Sequence, residues 1–330
     1  MYAVQKLSGR SRLRSFAVFR DHRQPSATRT DRTLARLRFM ISIRTKLLEI
    51  SYKDDGPSDA PVVLLLHGWP DDASTWDGIV PALNETGFRT IAPNARGFGQ
   101  TRFLGPEVPR TGNAAMLALD AIDLLDRLAV GRFVVAGHDW GANIAEMLAV
   151  GWPDRVERIA MLSTPSRLGG LKTPPFWHAR LQWYHWFQTT ERGARAVRDD
   201  PKGFARIMWE TWSPAGWFDD ALFEKAAESF ENPDWVDVTL HSYRSRWGEA
   251  EPDLLSKWLD DKVKSTSAIA VPAIYIQGEQ DGVNPPPTSE NVAEKYSGPF
   301  RRIVIPAVGH FPTREAPDEV AEQLVRHFTD

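Results

Sequence analysis

The sequence predicts an α/β protein, a mostly parallel sheet with helices on both faces and an all-helical segment inserted between two strands. Three observations carry this. Short apolar runs alternate with helical stretches over residues 40–165 and again over 268–330, the pattern of a parallel sheet with crossover helices. Residues 166–267 hold no good strand and are rich in Trp, Tyr and Phe. A β-branched apolar run, a tight turn between Gly137 and Gly141, and a helical run follow one another from Phe133.

Residues 1–39 are Arg- and Ser-rich with little apolar periodicity. They hold Lys6 and nine arginines against Asp21 and Asp31, a charge of +8, so the rest of the chain carries −3 − 8 = −11. They are expected to be a disordered extension, or sequence upstream of a start at Met40. An Arg-rich transit peptide is the other reading.

From Met40 the pattern turns to strands. Ile41 to Tyr52 reads as a hairpin arm, and Asp55-Gly56-Pro57 as a turn. Residues 62–66 form a continuous apolar run, as a central parallel strand should. That run ends in His67-Gly68-Trp69-Pro70. Residues 90–93 are a short strand leading into Arg96-Gly97-Phe98-Gly99. A helix is expected over about 113–128, with Leu117, Ile122, Leu124, Leu125 and Leu128 available for one face. Strands are expected at 133–138 and 156–162, with a helix over 141–150 between them. Helical segments at 174–191, 202–213, 219–230 and 233–247 make up a cap over 166–267. Strands return at 273–276 and 302–305, each followed by a polar turn and a helical stretch.

Composition narrows the function classes. Hydrophobic content of 42% and charged content of 25% are ordinary for a globular protein. The chain has no cysteine, which excludes disulfides, a thiol nucleophile and Cys-based metal sites. It fits a reducing compartment, and the cytoplasm is the expected location. The acidic body gives no support for nucleic-acid binding, and no apolar run is long enough to span a membrane. The histidines show no H-E-x-x-H spacing, so no metal is expected. His67 and His138 end buried strands and read as structural.

The chemistry centres on Gly137-His138-Asp139-Trp140-Gly141. This has the form of the nucleophile elbow G-x-S-x-G, with Asp in place of Ser. A serine attacking saturated carbon would form an ether that water at neutral pH does not cleave. A carboxylate forms an ester, which water can hydrolyse. An Asp elbow therefore points to substrates with a leaving group on sp³ carbon, such as epoxides and alkyl halides. The plain alternative is a strand–helix turn with Asp139 as a helix cap. In this fold the partners follow as acid, then histidine, and Asp281 and His310 both fall just past strands in that order. Alone, Asp281 is a turn carboxylate and His310 a loop histidine. Together they would activate water, with Asp281 fixing the His310 tautomer. The backbone N–H groups of Trp69 and Trp140 would form the oxyanion hole.

With these residues in view, the chain resembles the α/β-hydrolase family over about 40–330. Within it, the chain is most similar to the epoxide hydrolases and haloalkane dehalogenases. The motifs that carry this are His67-Gly68-Trp69-Pro70, Arg96-Gly97-Phe98-Gly99, the Asp139 elbow, Asp281 and Gly309-His310. The resemblance implies an epoxide hydrolase working through a covalent Asp ester, without a cofactor. It also implies two cap groups that protonate the epoxide oxygen. Tyr243 matches one. For the other, Trp183, Tyr184 and His185 compete, because one helical step turns a side chain by about 100°. A haloalkane dehalogenase is the alternative, with halide held by the Trp140 indole and a cap Trp such as Trp183 or Trp186. Fluoroacetate dehalogenases resemble the chain at Tyr184-His185-Trp186, but carry arginines where Trp140 and Asn143 stand here. A non-catalytic binder of small apolar ligands is a third reading. The expected partners are a small apolar epoxide or alkyl halide and water, with a homodimer as an allowed assembly.

Overall fold

The computed structural model describes residues 40–330 except Pro252. The expectations for residues 1–39 lie outside the described residues. The centre is a nine-stranded sheet. Its strands are β1 (Ile41–Arg44), β2 (Leu48–Asp55), β3 (Val62–Leu66), β4 (Arg89–Pro93), β5 (Arg102–Phe103), β6 (Phe133–His138), β7 (Val156–Leu162), β8 (Ala273–Gly278) and β9 (Phe300–Ile305). The order is β1-β2-β4-β3-β6-β7-β8-β9, with β5 on β2. β1, β2 and β5 pair antiparallel. Every pairing from β4 to β9 is parallel.

The apolar runs read as buried strands because both sheet faces are covered. Every residue of β3, β6 and β8 is buried. Their side chains alternate between two cores, as a period of two requires. Leu64, Leu66, Phe133 and Val135 join the helices Ala114–Arg127 and Trp140–Gly151 on one face. Val63, Leu65, Val134 and Ala136 join Val80–Glu85 and Pro317–Thr329 on the other. Each buried Leu or Val contributes roughly 1.5–3 kcal/mol.

Among the described residues, the elements between β7 and β8 are all helices. Its details depart from the sequence reading. The single helix expected over 174–191 is two, Phe176–Ala179 and Trp183–Thr189. Thr190 then starts a separate helix, Glu191–Asp199, by accepting the Gly193 N–H at 3.0 Å. Such a cap is a stop as well as a start. A further helix, Lys257–Ser265, was not expected. It buries only Leu259 and Val263, too few apolar positions for a periodic signal. Among the described residues no helix is long and apolar enough to cross a membrane.

Candidate active site

Register brings the site together. Leu66 of β3 pairs with Gly137 of β6, Leu162 of β7 with Ile276 of β8, and Gly278 of β8 with Ile305 of β9. The carboxyl ends of these strands therefore share one edge of the sheet. Trp69, Asp139, Asp281 and His310 all follow that edge within a few residues. Ligands of open parallel sheets bind there.

Asp139 sits at the tip of the turn with φ 50° and ψ −111°. A non-glycine residue at positive φ is strained, and the neighbours explain how the turn persists. A Cβ on Gly137 would fall 2.0 Å from the Gly141 carbonyl oxygen, and one on Gly141 would fall 2.1 Å from that of Leu66. A Cβ on Gly68 would lie 2.5 Å from Asp139 Cβ. Only glycine fits at these three places. The carboxylate does not cap the helix that follows, so the plain reading of Asp139 fails. Instead Asp139 Oδ1 accepts the Trp69 N–H at 2.9 Å. Its Oδ2 accepts from Thr164 Oγ1 at 3.3 Å and lies 3.7 Å from His310 Nε2.

His310 and Asp281 form a tight pair. His310 Nδ1 is 2.9 Å from Asp281 Oδ2. Asp281 Oδ1 accepts the N–H groups of Val283 and Asn284 at 2.9 and 2.8 Å, so the carboxylate cannot turn. That bond puts a proton on Nδ1. It leaves Nε2, buried and without a hydrogen-bond partner, facing Asp139.

The loops are cross-braced. His138 Nε2 bonds the His310 carbonyl oxygen at 2.7 Å. Arg314 holds Asp71 by two bonds, Nε to Oδ2 at 2.9 Å and Nη2 to Oδ1 at 2.5 Å. The helical insert takes part. The His310 N–H donates to Ser213 Oγ at 2.8 Å and to the Trp212 carbonyl at 3.1 Å. The Gly282 N–H donates to that same carbonyl at 2.9 Å. Trp209 Nε1 donates to the Pro70 carbonyl at 2.7 Å.

Over Asp139 stands an aromatic enclosure. Tyr184 stacks on Trp69, with ring centroids 5.9 Å apart. Tyr243 packs edge-on against Trp69 and Tyr184 at 5.2 and 5.4 Å. His185 lies 4.9 Å from the Tyr243 ring. Tyr184, His185 and Tyr243 are 3%, 1% and 1% exposed. Trp183 and Trp186 are 40% and 37% exposed. The packing thus turns Tyr184 inward and Trp183 outward. Trp140 contributes its side chain, its indole N–H donating to the Tyr243 oxygen at 3.3 Å. The Trp69 indole N–H donates to Thr239 Oγ1 at 3.1 Å.

Electrostatics follow from burial and neighbours. Burial alone would raise the Asp139 pKa, but contact with His310, the charge of His138 and the Trp69 N–H hold it well below the usual carboxylate range. Burial pulls His310 down, yet the carboxylates of Asp281 and Asp139 push it up to about 10. Tyr184 and Tyr243 are held well above the usual phenol value, first by burial and then by surrounding negative charge that includes Asp139. Both phenols are therefore protonated at neutral pH. His185 is driven well below its usual value by burial and by the charges of Arg246 and Arg167, so it is neutral.

Sequence reasoning missed Thr164, Trp212 and Ser213. Thr164 stands two residues past the end of β7, and the strand-end rule that found Asp281 would have flagged it. Trp212 and Ser213 carry no such signal, because their role depends on where the insert docks.

A family model described as the alpha/beta hydrolase fold matches residues 61–317. Epoxide hydrolase A of Mycobacterium tuberculosis is 28% identical over 322 residues, covering 87% of this chain and 96% of that protein. An epoxide hydrolase of Caballeronia sordidicola is 28% identical over 81% of this chain and 87% of its own length. A Klebsiella pneumoniae crystal structure, provisionally assigned as an epoxide hydrolase, superposes with a TM-score of 0.84 at 34% identity. It covers 89% of this chain and 98% of that one. With the Asp139 turn at the edge of a mostly parallel sheet, this chain belongs to the family built on the alpha/beta hydrolase fold.

Proposed function

We propose that the protein is an epoxide hydrolase that opens an epoxide to a vicinal diol through an ester on Asp139. One observation carries the choice of epoxide over halide. The Trp140 indole donates to the Tyr243 oxygen, which leaves the Tyr243 hydroxyl proton free to point elsewhere. A developing alkoxide needs that proton, whereas a departing halide needs N–H donors. The Trp140 and Trp69 indoles already donate to hydroxyls, and Trp183 and Trp186 lie at the surface.

In this reading Asp139 Oδ2 attacks an epoxide carbon while Tyr243, with Tyr184, donates to the ring oxygen. The proton held by His310 restores the phenol. His310, held by Asp281, then takes a proton from water, and the hydroxide attacks the ester carbonyl. The N–H groups of Trp69 and Trp140 stabilise the oxyanion. Collapse expels the diol oxygen, which leaves with a proton from His310, and the carboxylic acid proton returns to His310. His185 is neutral and packs on Tyr243, which makes it a supporting group. Residues 166–267 act as the cap over a core of 40–165 and 268–330. A cytoplasmic location suits a chain without cysteine.

A paired assay tests the reading. One arm offers small aryl and alkyl epoxides and follows diol. The other offers primary bromoalkanes and follows bromide. Diol without bromide is expected, with Tyr243→Phe slowing diol formation. Bromide without diol, unaffected by Tyr243→Phe, would move the assignment to haloalkane dehalogenase.

A further inference from the structure

We infer that the substrate carries a carboxylate remote from its epoxide, held by Arg167 and Arg246; this rests on the reading of Asp139 as an epoxide-opening nucleophile. Elsewhere the chain pairs arginines that are wholly or partly withdrawn from water with acids. Arg96 is paired with Asp120 through two bonds of 2.6 and 2.7 Å, and Arg314 with Asp71. Arg167 and Arg246 are different. Among the described residues, no carboxylate oxygen lies within the 4.0 Å of a salt bridge from either guanidinium. Both are half-buried, and cations partly withdrawn from water without a close partner are costly, so the pair calls for an anion.

Both arginines line one cavity of ≈ 560 Å³ between insert and core. Met147, Ala114, Leu171 and Val263 give it apolar walls. The cavity adjoins the acid side of the site. Arg246 lies three residues beyond Tyr243 in the helix Trp235–Arg246, with its guanidinium 5.1 Å over the Tyr243 ring. Its Nη1 is 3.3 Å from His185 Nε2, and its Nε is buried without a partner. Arg167 is held by its backbone, its N–H donating to Glu146 Oε2 at 2.6 Å. Burial and the Arg246 charge disfavour its charged form, while Glu146, Asp260 and Asp139 favour it from beyond salt-bridge distance, and an anion between the two arginines would relieve their crowding. Glu251, Asp253 and Asp260 also line the cavity. Asp260 is engaged by Asn113 at 3.3 Å and Asp253 by the Leu255 N–H at 3.0 Å. Lys264 lines the cavity as well, and the three acids disfavour a dianion there.

The geometry also says where on the substrate the charge sits. Trp140 and Asn143 follow the nucleophile, and neither can pair a carboxylate beside the reacting carbon. The arginines lie behind Tyr243 and His185 instead. The fitting ligand has an epoxide at one end and a carboxylate several bonds away, with an apolar stretch between them. Planar guanidinium groups suit a carboxylate in particular.

The test compares 4-(oxiran-2-yl)benzoic acid with 4-(oxiran-2-yl)benzamide, and measures binding of unreactive 4-ethylbenzoate by calorimetry. Wild type should favour the acid in kcat/KM by at least about tenfold, the worth of one charge-assisted hydrogen bond. Arg167→Gln should bring that ratio close to one and weaken 4-ethylbenzoate binding to a similar extent, and Arg167→Lys should recover part of both. If Arg167→Gln fails to fold, the wild-type ratio decides, and it should fall between low and high salt. Equal turnover of acid and amide, unchanged by salt or by Arg167→Gln, would overturn the carboxylate while leaving the epoxide reading in place. If neither epoxide is opened but 4-ethylbenzoate binding depends on Arg167, the anion site stands and the epoxide reading fails.

Discussion

His310 is expected to be an acid at rest and a base only when one is needed. Its pKa of about 10 depends on two carboxylates, Asp281 at 2.9 Å and Asp139 at 3.7 Å. Forming the ester removes the charge of Asp139 and leaves Asp281. The variant Asp139→Asn imitates that neutral state without substrate. Two unit charges 3.7 Å apart interact by ~4 kcal/mol at an effective dielectric of about 20. That is about three pH units, and the sign is downward, because a lost negative neighbour disfavours the imidazolium. His310 should then titrate near neutrality, where a general base works best. The assay is the pH titration of the His310 ring carbon signals by NMR, in wild type and in Asp139→Asn. Intact mass must show that the Asn has not deamidated. If His310 in the variant titrates within about one pH unit of wild type, Asp139 is not what holds its proton, and forming the ester does not turn His310 into a base.

Two further outcomes follow from the same geometry. His310→Gln removes the base but not the nucleophile. Ester hydrolysis should slow by about 10²–10⁴-fold, and the intact protein should gain the mass of one substrate molecule; a variant that turns over without an adduct would argue against the ester. Gly68→Ala places a methyl 2.5 Å from Asp139 Cβ and 2.8 Å from the His138 carbonyl oxygen. It should cost about 1–3 kcal/mol, lower the melting temperature by several degrees in calorimetry, and impair diol formation more than the stability loss alone explains.

Much of the fold was legible because its signals are local. Parallel strands buried on both faces leave unbroken apolar runs, and β3, β6 and β8 are such runs. Asp139, Asp281 and His310 stood out because each is a chemically capable residue just past such a run. The side-chain order within Trp183-Tyr184-His185 was not legible. It is decided by the stacking of Tyr184 on Trp69, more than a hundred residues away. The helix Lys257–Ser265 was hidden because its buried face is two residues wide. Arg167 and Arg246 look like ordinary surface arginines in the sequence. Only the tertiary structure shows that they share a cavity and that, among the described residues, neither has a carboxylate within salt-bridge distance.

The junction of Trp212 and Ser213 with the loops of Asp281 and His310 bears on how a substrate gets in. Lifting the insert as a rigid lid would break, at this junction, the bonds from the His310 N–H to Ser213 and Trp212 and from Gly282 to Trp212, three among several that tie insert to core. At about 1 kcal/mol each, that alone keeps a lifted form near or below one molecule in a hundred. Parting the ring of Trp217 from Phe311, 4.9 Å away, lowers it further. It would also leave the His310 and Gly282 N–H groups without these partners on every visit. Traffic is better served by a standing passage than by a swinging one. Entry and exit should then depend on the girth of the molecule and the side chains along its route, and bulky substituents should slow arrival and departure before they affect the bond-breaking steps.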